Sequence, residues 1–200
     1  MALKTLDLSF RDTWQELWTA LLIHVLFVLG NLLVIPGPPA TLAMFFFSNK
    51  IAHGEAADIR DFLGALGLYW APAWRWAFLN ILVIGLLAGD YLFMGHMAAS
   101  ALRFVQGLYL TLLAGWLLVQ LFVPPFLFEQ DKPAVLQALR NAFVFLGKNG
   151  GFVLALALLL AVSLAAGILT FMLTFALGGA FVAFAGNHAV LQHLAEHQSS

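Results

Sequence analysis

The stretch "VIPGPPATLAMFFFSNK", residues 34–50, decides how the N-terminal part of the chain is organised. It places Pro36, Gly37, Pro38 and Pro39 inside residues 17–49, a run of 33 residues without Asp, Glu, Lys or Arg. Each proline removes a backbone donor and clashes with the preceding helical turn, and glycine adds backbone freedom. A helix that enters this run must therefore bend or break at the proline cluster.

The composition is typical of a membrane protein. Of the 200 residues, 62% are hydrophobic and 10% are charged, whereas roughly 25% of the residues of an average soluble domain are charged. A helix needs about 20 apolar residues to cross the hydrocarbon core. We therefore predict an all-α fold, a polytopic transmembrane helical bundle that forms one integral membrane domain over residues 1–200. Runs free of formal charge cover 17–49, 76–89, 91–102, 104–128 and 149–195.

The same composition argues against several classes of function. The net charge is −1 and the sequence has no cluster of Lys and Arg that could follow phosphates, so we expect no nucleic-acid partner. Cysteine is absent, which excludes disulfides, thiolate chemistry and cysteine-ligated metals. We expect no cofactor and no metal.

The basic residues choose between two topologies, because Lys and Arg near membrane ends concentrate on the cytoplasmic side. With six spans and a cytoplasmic N-terminus, eight of the nine Lys and Arg residues lie inside and Arg103 lies outside. With five spans, the best orientation gives six inside and three outside. The six-span prediction is therefore favoured, with both termini cytoplasmic. Its approximate spans are 17–35, 39–52, 73–94, 106–128, 149–171 and 174–194.

In this topology the spans form three hairpins. The proline cluster, residues 36–39, is the outer turn of the first hairpin; the alternative is a broken helix that lines a site. The last hairpin turns at Gly178-Gly179 or between Thr170 and Thr174. Amphipathic helices over approximately 56–70 and 133–147 follow the second and fourth spans and are expected on the inner membrane surface.

Three segments carry a family resemblance. They are "NLLVIPGPPATLAMFF" at the end of the first span, "GEAADIRDF", and "YWAPAWRW" before the third span. The chain resembles the YesL-like family of small bacterial integral membrane proteins, mainly over residues 5–95. The resemblance implies a bacterial inner-membrane location and an association with carbohydrate uptake. It implies no catalytic residues, because the family has no known biochemical function.

Polar residues inside the predicted spans are candidates for an intramembrane site, since each costs free energy unless it is paired. At 1.5 Å per residue, an inner layer lies roughly 6–11 Å from the inner boundary and an outer layer roughly 21–23 Å from it. Either the layers are packing contacts between helices or they form a ligand or proton pathway. The inner layer contains His24, Asn80, Gln120, Asn187 and His188, and the outer layer contains Asn31 and Asp90.

Charged residues in two predicted inner loops are candidates for docking a partner. They are Glu55, Asp58, Arg60, Asp61, Glu129, Asp131 and Lys132. A solvated face is the alternative, because exposed ion pairs contribute little to stability. The expected partners are the lipid bilayer and a membrane transporter complex or a second copy of the chain.

Two short motifs suggest other chemistry. The segment His193-Leu194-Ala195-Glu196-His197 has the H-x-x-E-H spacing of an inverted zincin. Such a zinc site also needs a carboxylate further along the chain, and only Gln198, Ser199 and Ser200 follow here. We therefore expect a solvated helix end instead. Glu55-Ala56-Ala57 is similar to the loop by which transporter permeases dock on their ATPase. Asp61 stands where that loop has glycine, so a permease is not expected.

The sequence therefore predicts a non-enzymatic accessory, assembly or regulatory subunit of another membrane system. The alternative is a small secondary transporter or channel that uses His24, Asn31 and Asp90. A membrane enzyme is less favoured, because no nucleophile, base and metal-ligand set converges.

Overall fold

The chain is helical almost throughout, as a computed structural model shows. The described residues contain no strand, and this confirms the all-α fold class. The structure describes residues 2–95, 100–169 and 172–198, with backbone alone for 95, 100–102, 167–169, 172–178 and 196–198. The helices are α1 (Ala2–Gln15), α2 (Leu17–Leu32), α3 (Gly37–Ala52), α4 (Ile59–Leu68), α5 (Trp70–Gly95), α6 (Ser100–Gln120), α7 (Val123–Phe128), α8 (Val135–Lys148), α9 (Gly150–Leu169) and α10 (Met172–Gln198).

The chain breaks at the proline cluster, but of the predicted outer turn only Pro36 lies in the turn, and Gly37, Pro38 and Pro39 belong to the next helix. Pro36 is the N-cap of α3, and Pro38 and Pro39 fall in its first turn, where the missing N–H groups have no helical partner. The turn itself is residues 33–36, and Val34 adopts a left-handed φ of 62°. A β-branched residue is rare in this region because its side chain crowds the backbone.

Helix α3 runs back along α2 and forms the centre of the molecule. A Cβ built on Gly30 of α2 would lie 2.7 Å from the Cβ of Ala40, so glycine is needed for this close approach. Helices α2, α4, α5, α7 and α10 all pack against α3. Its buried apolar residues are Ala40, Leu42, Ala43, Met44, Phe45 and Phe47.

Aromatic rings join α3 to the junction of α4 and α5 and to the end of α7. Phe46 of α3 lies 5.4 Å from the ring of Tyr69 and 5.7 Å from the ring of Phe128, measured between centroids. The Tyr69 and Phe128 rings are 5.0 Å apart in an edge-to-face arrangement. Such pairs contribute about 0.5–1.5 kcal/mol each beyond the area that they bury. They fix the junction of α4 and α5, and the end of α7, against α3.

Helices α5 and α6 pack side by side and antiparallel. The Nε1 of Trp76, near the start of α5, donates to Oε1 of Gln120 at the end of α6 over 2.8 Å. Near the other end, Nε2 of Gln106 donates to the carbonyl oxygen of Tyr91 over 3.3 Å. Most of α5 remains uncovered: only 6% of its apolar stretch is buried, against 39% for the stretch that ends at Phe128.

Length and composition identify the helices that can cross a membrane. In the described part of the chain they are Trp70–Met94 and Arg103–Phe128, the latter combining α6 with α7. Two further pairs qualify if each is counted as one bent span: α1 with α2, which bend by 93°, and α8 with the Gly150–Ala166 part of α9, which bend by 99°. The structure therefore has two to four candidate membrane-spanning helices.

The predicted element bounds agree with the helices to within a few residues, with two differences. The predicted span 106–128 is interrupted at Leu121-Phe122, just before Pro124-Pro125, which open the short helix α7. Helix α9 ends at Leu169 and α10 begins at Met172, and α10 contains Gly178-Gly179. A turn at these glycines was therefore the wrong alternative.

The strained conformation of Val34 gives a stability prediction. We expect Val34→Asn to raise the free energy of unfolding by about 1 kcal/mol, because asparagine tolerates the left-handed region. Leu33→Asn is the matched control, since Leu33 is equally exposed and has a right-handed φ of −80°. Thermal unfolding in detergent measures both. A destabilisation by Val34→Asn equal to that by Leu33→Asn would contradict the strain argument.

Candidate functional site

A buried polar cluster joins α3, α7 and α10 at one end of the molecule. The Nδ2 of Asn49 donates to Oε1 of Glu129 over 2.9 Å and to Oδ1 of Asn187 over 3.1 Å. The Nδ2 of Asn187 donates to the carbonyl oxygens of Phe45 (3.1 Å) and Ala183 (3.0 Å). Asn187 is fully buried, so both of its amide hydrogens need these acceptors. The cluster fixes the register of α10 against α3.

Glu129 is the charged member of this cluster. Its side chain is 21% exposed, and its Oε1 also lies 3.5 Å from Nε2 of His53. The Nδ1 of His53 lies 2.9 Å from the carbonyl oxygen of Asn49, one turn back along the chain. The Glu129 carboxylate is therefore held by Asn49 and His53, at the C-terminal end of α3.

The neighbouring residue on α10, His188, makes a second polar contact, to α1. Its Nε2 lies 2.6 Å from Oδ2 of Asp12, and both side chains are 10% exposed. One turn further along α10, Gln192 Oε1 accepts a hydrogen bond from Thr5 Oγ1 over 3.1 Å. Consecutive residues of α10 thus face in two directions, Asn187 towards α3 and His188 towards α1.

Helix α1 buries polar side chains against the protein and exposes both apolar and charged ones. Its buried residues are all polar, namely Thr5, Ser9, Asp12 and Thr13. Its exposed large apolar side chains are Leu3, Phe10 and Trp14, whereas Leu6 packs against the core. The fully buried positions thus differ from those of a helix on the surface of a water-soluble protein, in which an apolar stripe faces the core. This arrangement suits a helix whose outer side contacts lipid.

A third polar cluster lies between α5 and α6. Oε1 of Gln120 accepts from Trp76 and also from Nδ2 of Asn80 over 3.2 Å. Oδ1 of Asn80 accepts from Nε1 of Trp116 over 3.0 Å. The structure therefore brings together Asn80 and Gln120, which the sequence placed at the same depth.

The remaining candidates of the intramembrane site lie apart from one another. His24 is buried against α10, where a Cβ on Gly179 would lie 3.0 Å from its imidazole. Nδ2 of Asn31 donates to the carbonyl oxygen of Phe27 in its own helix over 2.9 Å. Asp90 is exposed near the far end of α5. No described hydrogen bond connects Asn31 with Asp90.

Three of the docking candidates have contacts inside the chain. Asp58 and Asp61 form the capping box of α4, each accepting from the backbone N–H of the other. Asp61 also accepts from Nζ of Lys50 over 2.8 Å. This hydrogen bond and that from the Asp58 backbone hold the pKa of the Asp61 carboxyl below its usual value. Glu129 is the third, as described. The exposed candidates that remain are Glu55, Arg60, Asp131 and Lys132.

Sequence reasoning missed an open face on α5. Gly85 and Gly89 are four residues apart, are exposed and have no side-chain or backbone neighbour within 4 Å of an added Cβ. Phe78, Ile81 and Leu82 continue the same face and are each at least 60% exposed. Small residues at this spacing allow two membrane helices to approach closely. The G-x-x-x-G spacing was readable in "GLLAG", residues 85–89.

The described side chains of the polar clusters form hydrogen bonds to one another and to backbone carbonyls. The hydroxyls next to the Asp12–His188 pair, Ser9 and Thr13, donate to backbone carbonyls of α1 over 2.7 Å. Within the described residues, no group of three or more His, Cys, Asp or Glu is placed to hold a metal. The side chains of Glu196 and His197, in the H-x-x-E-H motif, lie outside the described part.

Comparison of the chain with protein-family models, with curated proteins and with solved structures gives no match. What the chain does must therefore be argued from its own residues.

The buried amide cluster makes a prediction about stability. Asn187→Ala should lower the free energy of unfolding by about 1–3 kcal/mol, because Asn49 and the Phe45 carbonyl lose a buried partner. Asn31→Ala is the control and should change it by less than about 0.5 kcal/mol, since Asn31 is exposed and bonds only within its helix. Denaturant unfolding in detergent measures both variants. Equal effects of the two substitutions on the free energy of unfolding would show that the cluster adds nothing to stability.

Proposed function

We propose that the chain is a non-enzymatic accessory, assembly or regulatory subunit of another system in the bacterial inner membrane. The observation that carries the proposal is the contrast between two kinds of surface. The described buried polar side chains are mostly bonded to one another or to backbone carbonyls, whereas the glycine face of α5 is open. The resemblance to the YesL-like family adds carbohydrate uptake as the expected setting.

The proposed topology has six spans in three hairpins, with both termini cytoplasmic. The bond between Thr5 and Gln192 brings the first and last helices together at the end of the molecule that also holds Asn49 and Glu129. An even number of crossings places both termini on one side. The charge count of the sequence then assigns that side to the cytoplasm.

The glycine face of α5 supports docking of a partner helix. A partner can approach the backbone at Gly85 and Gly89, and Phe78 and Leu82 extend the contact along the helix. In lipid, association depends on such close packing rather than on burial of apolar area, because the acyl chains are equally apolar. The exposed loop charges at Glu55, Arg60, Asp131 and Lys132 would add selectivity outside the bilayer.

The alternative, a small transporter or channel, has less support in the structure. It requires the inner and outer polar layers to be joined through His24, Asn31 and Asp90. His24 is buried against α10, whereas Asn31 and Asp90 are exposed on two other helices. The polar side chains that do converge bond in closed local groups.

The proposed topology predicts a labelling pattern in this cysteine-free chain. A single cysteine at Ile35, which is 64% exposed, should react with an impermeant thiol reagent added outside intact cells. Cysteines at Glu55 and Lys132, both exposed, should react only after the membrane is opened. Labelling of the Glu55 or Lys132 cysteine from outside would refute the six-span arrangement.

The proposed docking face predicts the loss of a partner when it is blocked. Gly85→Ile with Gly89→Ile should leave expression and helical content unchanged, because nothing outside the backbone of α5 lies within 4 Å of an added Cβ at either position. Copurification of the partner from native membranes should fall to background. Gly107→Ile with Gly115→Ile is the matched control on α6, where the glycines are also open, and should retain the partner.

Two results would overturn the proposal. Recovery of no specific partner from native membranes with the wild-type chain would remove the accessory role. Equal loss of the copurifying partner in the α5 and α6 variants would show that the glycine face of α5 is not its docking site. A photo-crosslinker at Leu82 identifies the partner directly, and a crosslink to a second copy would show a homo-oligomer.

A further inference from the structure

A groove of about 820 Å³ lies between α8 and the C-terminal part of α10. Its volume falls within the range of about 300–1,000 Å³ that is usual for small-molecule sites. Arg140 and Lys148 of α8 and His193 of α10 line it, and no carboxylate is among its described lining residues. This described lining is therefore electropositive.

The two cations are available for a ligand. Arg140 and Lys148 are exposed, and neither forms an ion pair with a described carboxylate. The amides of Gln137 and Asn141 line the same groove and can donate further hydrogen bonds. A phosphate group, which offers several acceptor oxygens and negative charge, matches this set of donors.

The apolar part of the groove indicates that the phosphate carries a hydrocarbon chain. The rings of Phe126 and Phe145 and the side chain of Leu194 contribute to its lining. Leu136 and Val144, on the same helix as the cations, are 74% and 49% exposed. A free phosphate would leave Leu136 and Val144 uncovered, whereas a phospholipid would cover them.

The placement of α8 brings the groove to the depth of lipid headgroups. Helices α8 and α9 bend by 99°, so α8 lies along the membrane surface when α9 crosses the bilayer. This step rests on the proposed membrane topology. Basic pockets between membrane helices on the cytoplasmic side are suited to anionic headgroups.

We propose that this groove binds an anionic phospholipid, with Arg140 and Lys148 holding the phosphate and Leu136 and Val144 contacting an acyl chain. This lipid site is independent of the glycine face of α5, because lipid binding needs no partner protein. A bound lipid bridges α8 and α10 and stabilises the folded chain.

The test uses purified, delipidated full-length protein in a neutral detergent. Short-chain phosphatidylglycerol should raise the melting temperature with saturable dependence on its concentration, and native mass spectrometry should show the retained lipid. Arg140→Gln with Lys148→Gln should weaken this affinity roughly 20- to 30-fold, and each single variant about fivefold. The charge-preserving pair Arg140→Lys with Lys148→Arg should retain most of the affinity.

Matched controls decide the outcome. Lys4→Gln with Arg11→Gln removes two exposed charges from α1 and should leave lipid affinity unchanged. Equal stabilisation by inorganic phosphate would show a simple anion site, and equal stabilisation by short-chain phosphatidylcholine would show unselective lipid contact; either result overturns the proposal. Unchanged affinity in the Arg140 and Lys148 variants also overturns it. None of these results depends on whether a partner protein copurifies.

Discussion

The hydrogen bonds that Asn49 donates to Glu129 and Asn187 hold three helices together at a single point. Asn49 lies near the end of α3, Glu129 directly follows α7, and Asn187 lies in the middle of α10. In a medium of low dielectric constant, such bonds are electrostatically strong and their loss leaves polar groups unsatisfied. The close packing around α3 therefore has a defined register, because sliding α10 by one turn would separate these groups.

The way in which polar side chains pair inside this chain is explained by the lipid that surrounds it. Lipid acyl chains offer no hydrogen bonds, so polar groups turn towards one another inside the protein. The pairs Asp12–His188, Asn49–Asn187 and Asn80–Gln120 all have this form. The same solvent makes apolar side chains acceptable on the outside, as Leu3, Phe10 and Trp14 of α1 show.

Much of the fold was predictable because the signals are local. Proline chemistry located the break between α2 and α3 at the proline cluster, and runs of apolar residues located most helices to within a few positions. Depth along a helix placed Asn80 and Gln120 in the same layer, and they are bonded in the structure. These inferences need only the rise per residue and the cost of a broken backbone hydrogen bond.

The polar clusters were less predictable because hydropathy gives depth but no direction around a helix. Asn49 and Asn187 are 138 residues apart, and no sequence pattern near either residue identifies the other as its partner. Glu129 resembles any charged loop residue, although the structure turns it towards Asn49. For α1, periodicity groups the residues that share a face, but the surrounding solvent decides which face turns inward.

The contact between α1 and α10 has a consequence for the order of assembly. His188 emerges from the ribosome 176 residues after Asp12, a delay of roughly 10–35 s at about 5–20 residues per second. During this time Leu3, Phe10 and Trp14 can already occupy the lipid surface, while Thr5, Ser9 and Asp12 remain hydrated. When α10 arrives, it meets the polar side of α1 and leaves the lipid contacts in place. Helix α1 is thus synthesised long before the helix whose side chains pair with Thr5 and Asp12.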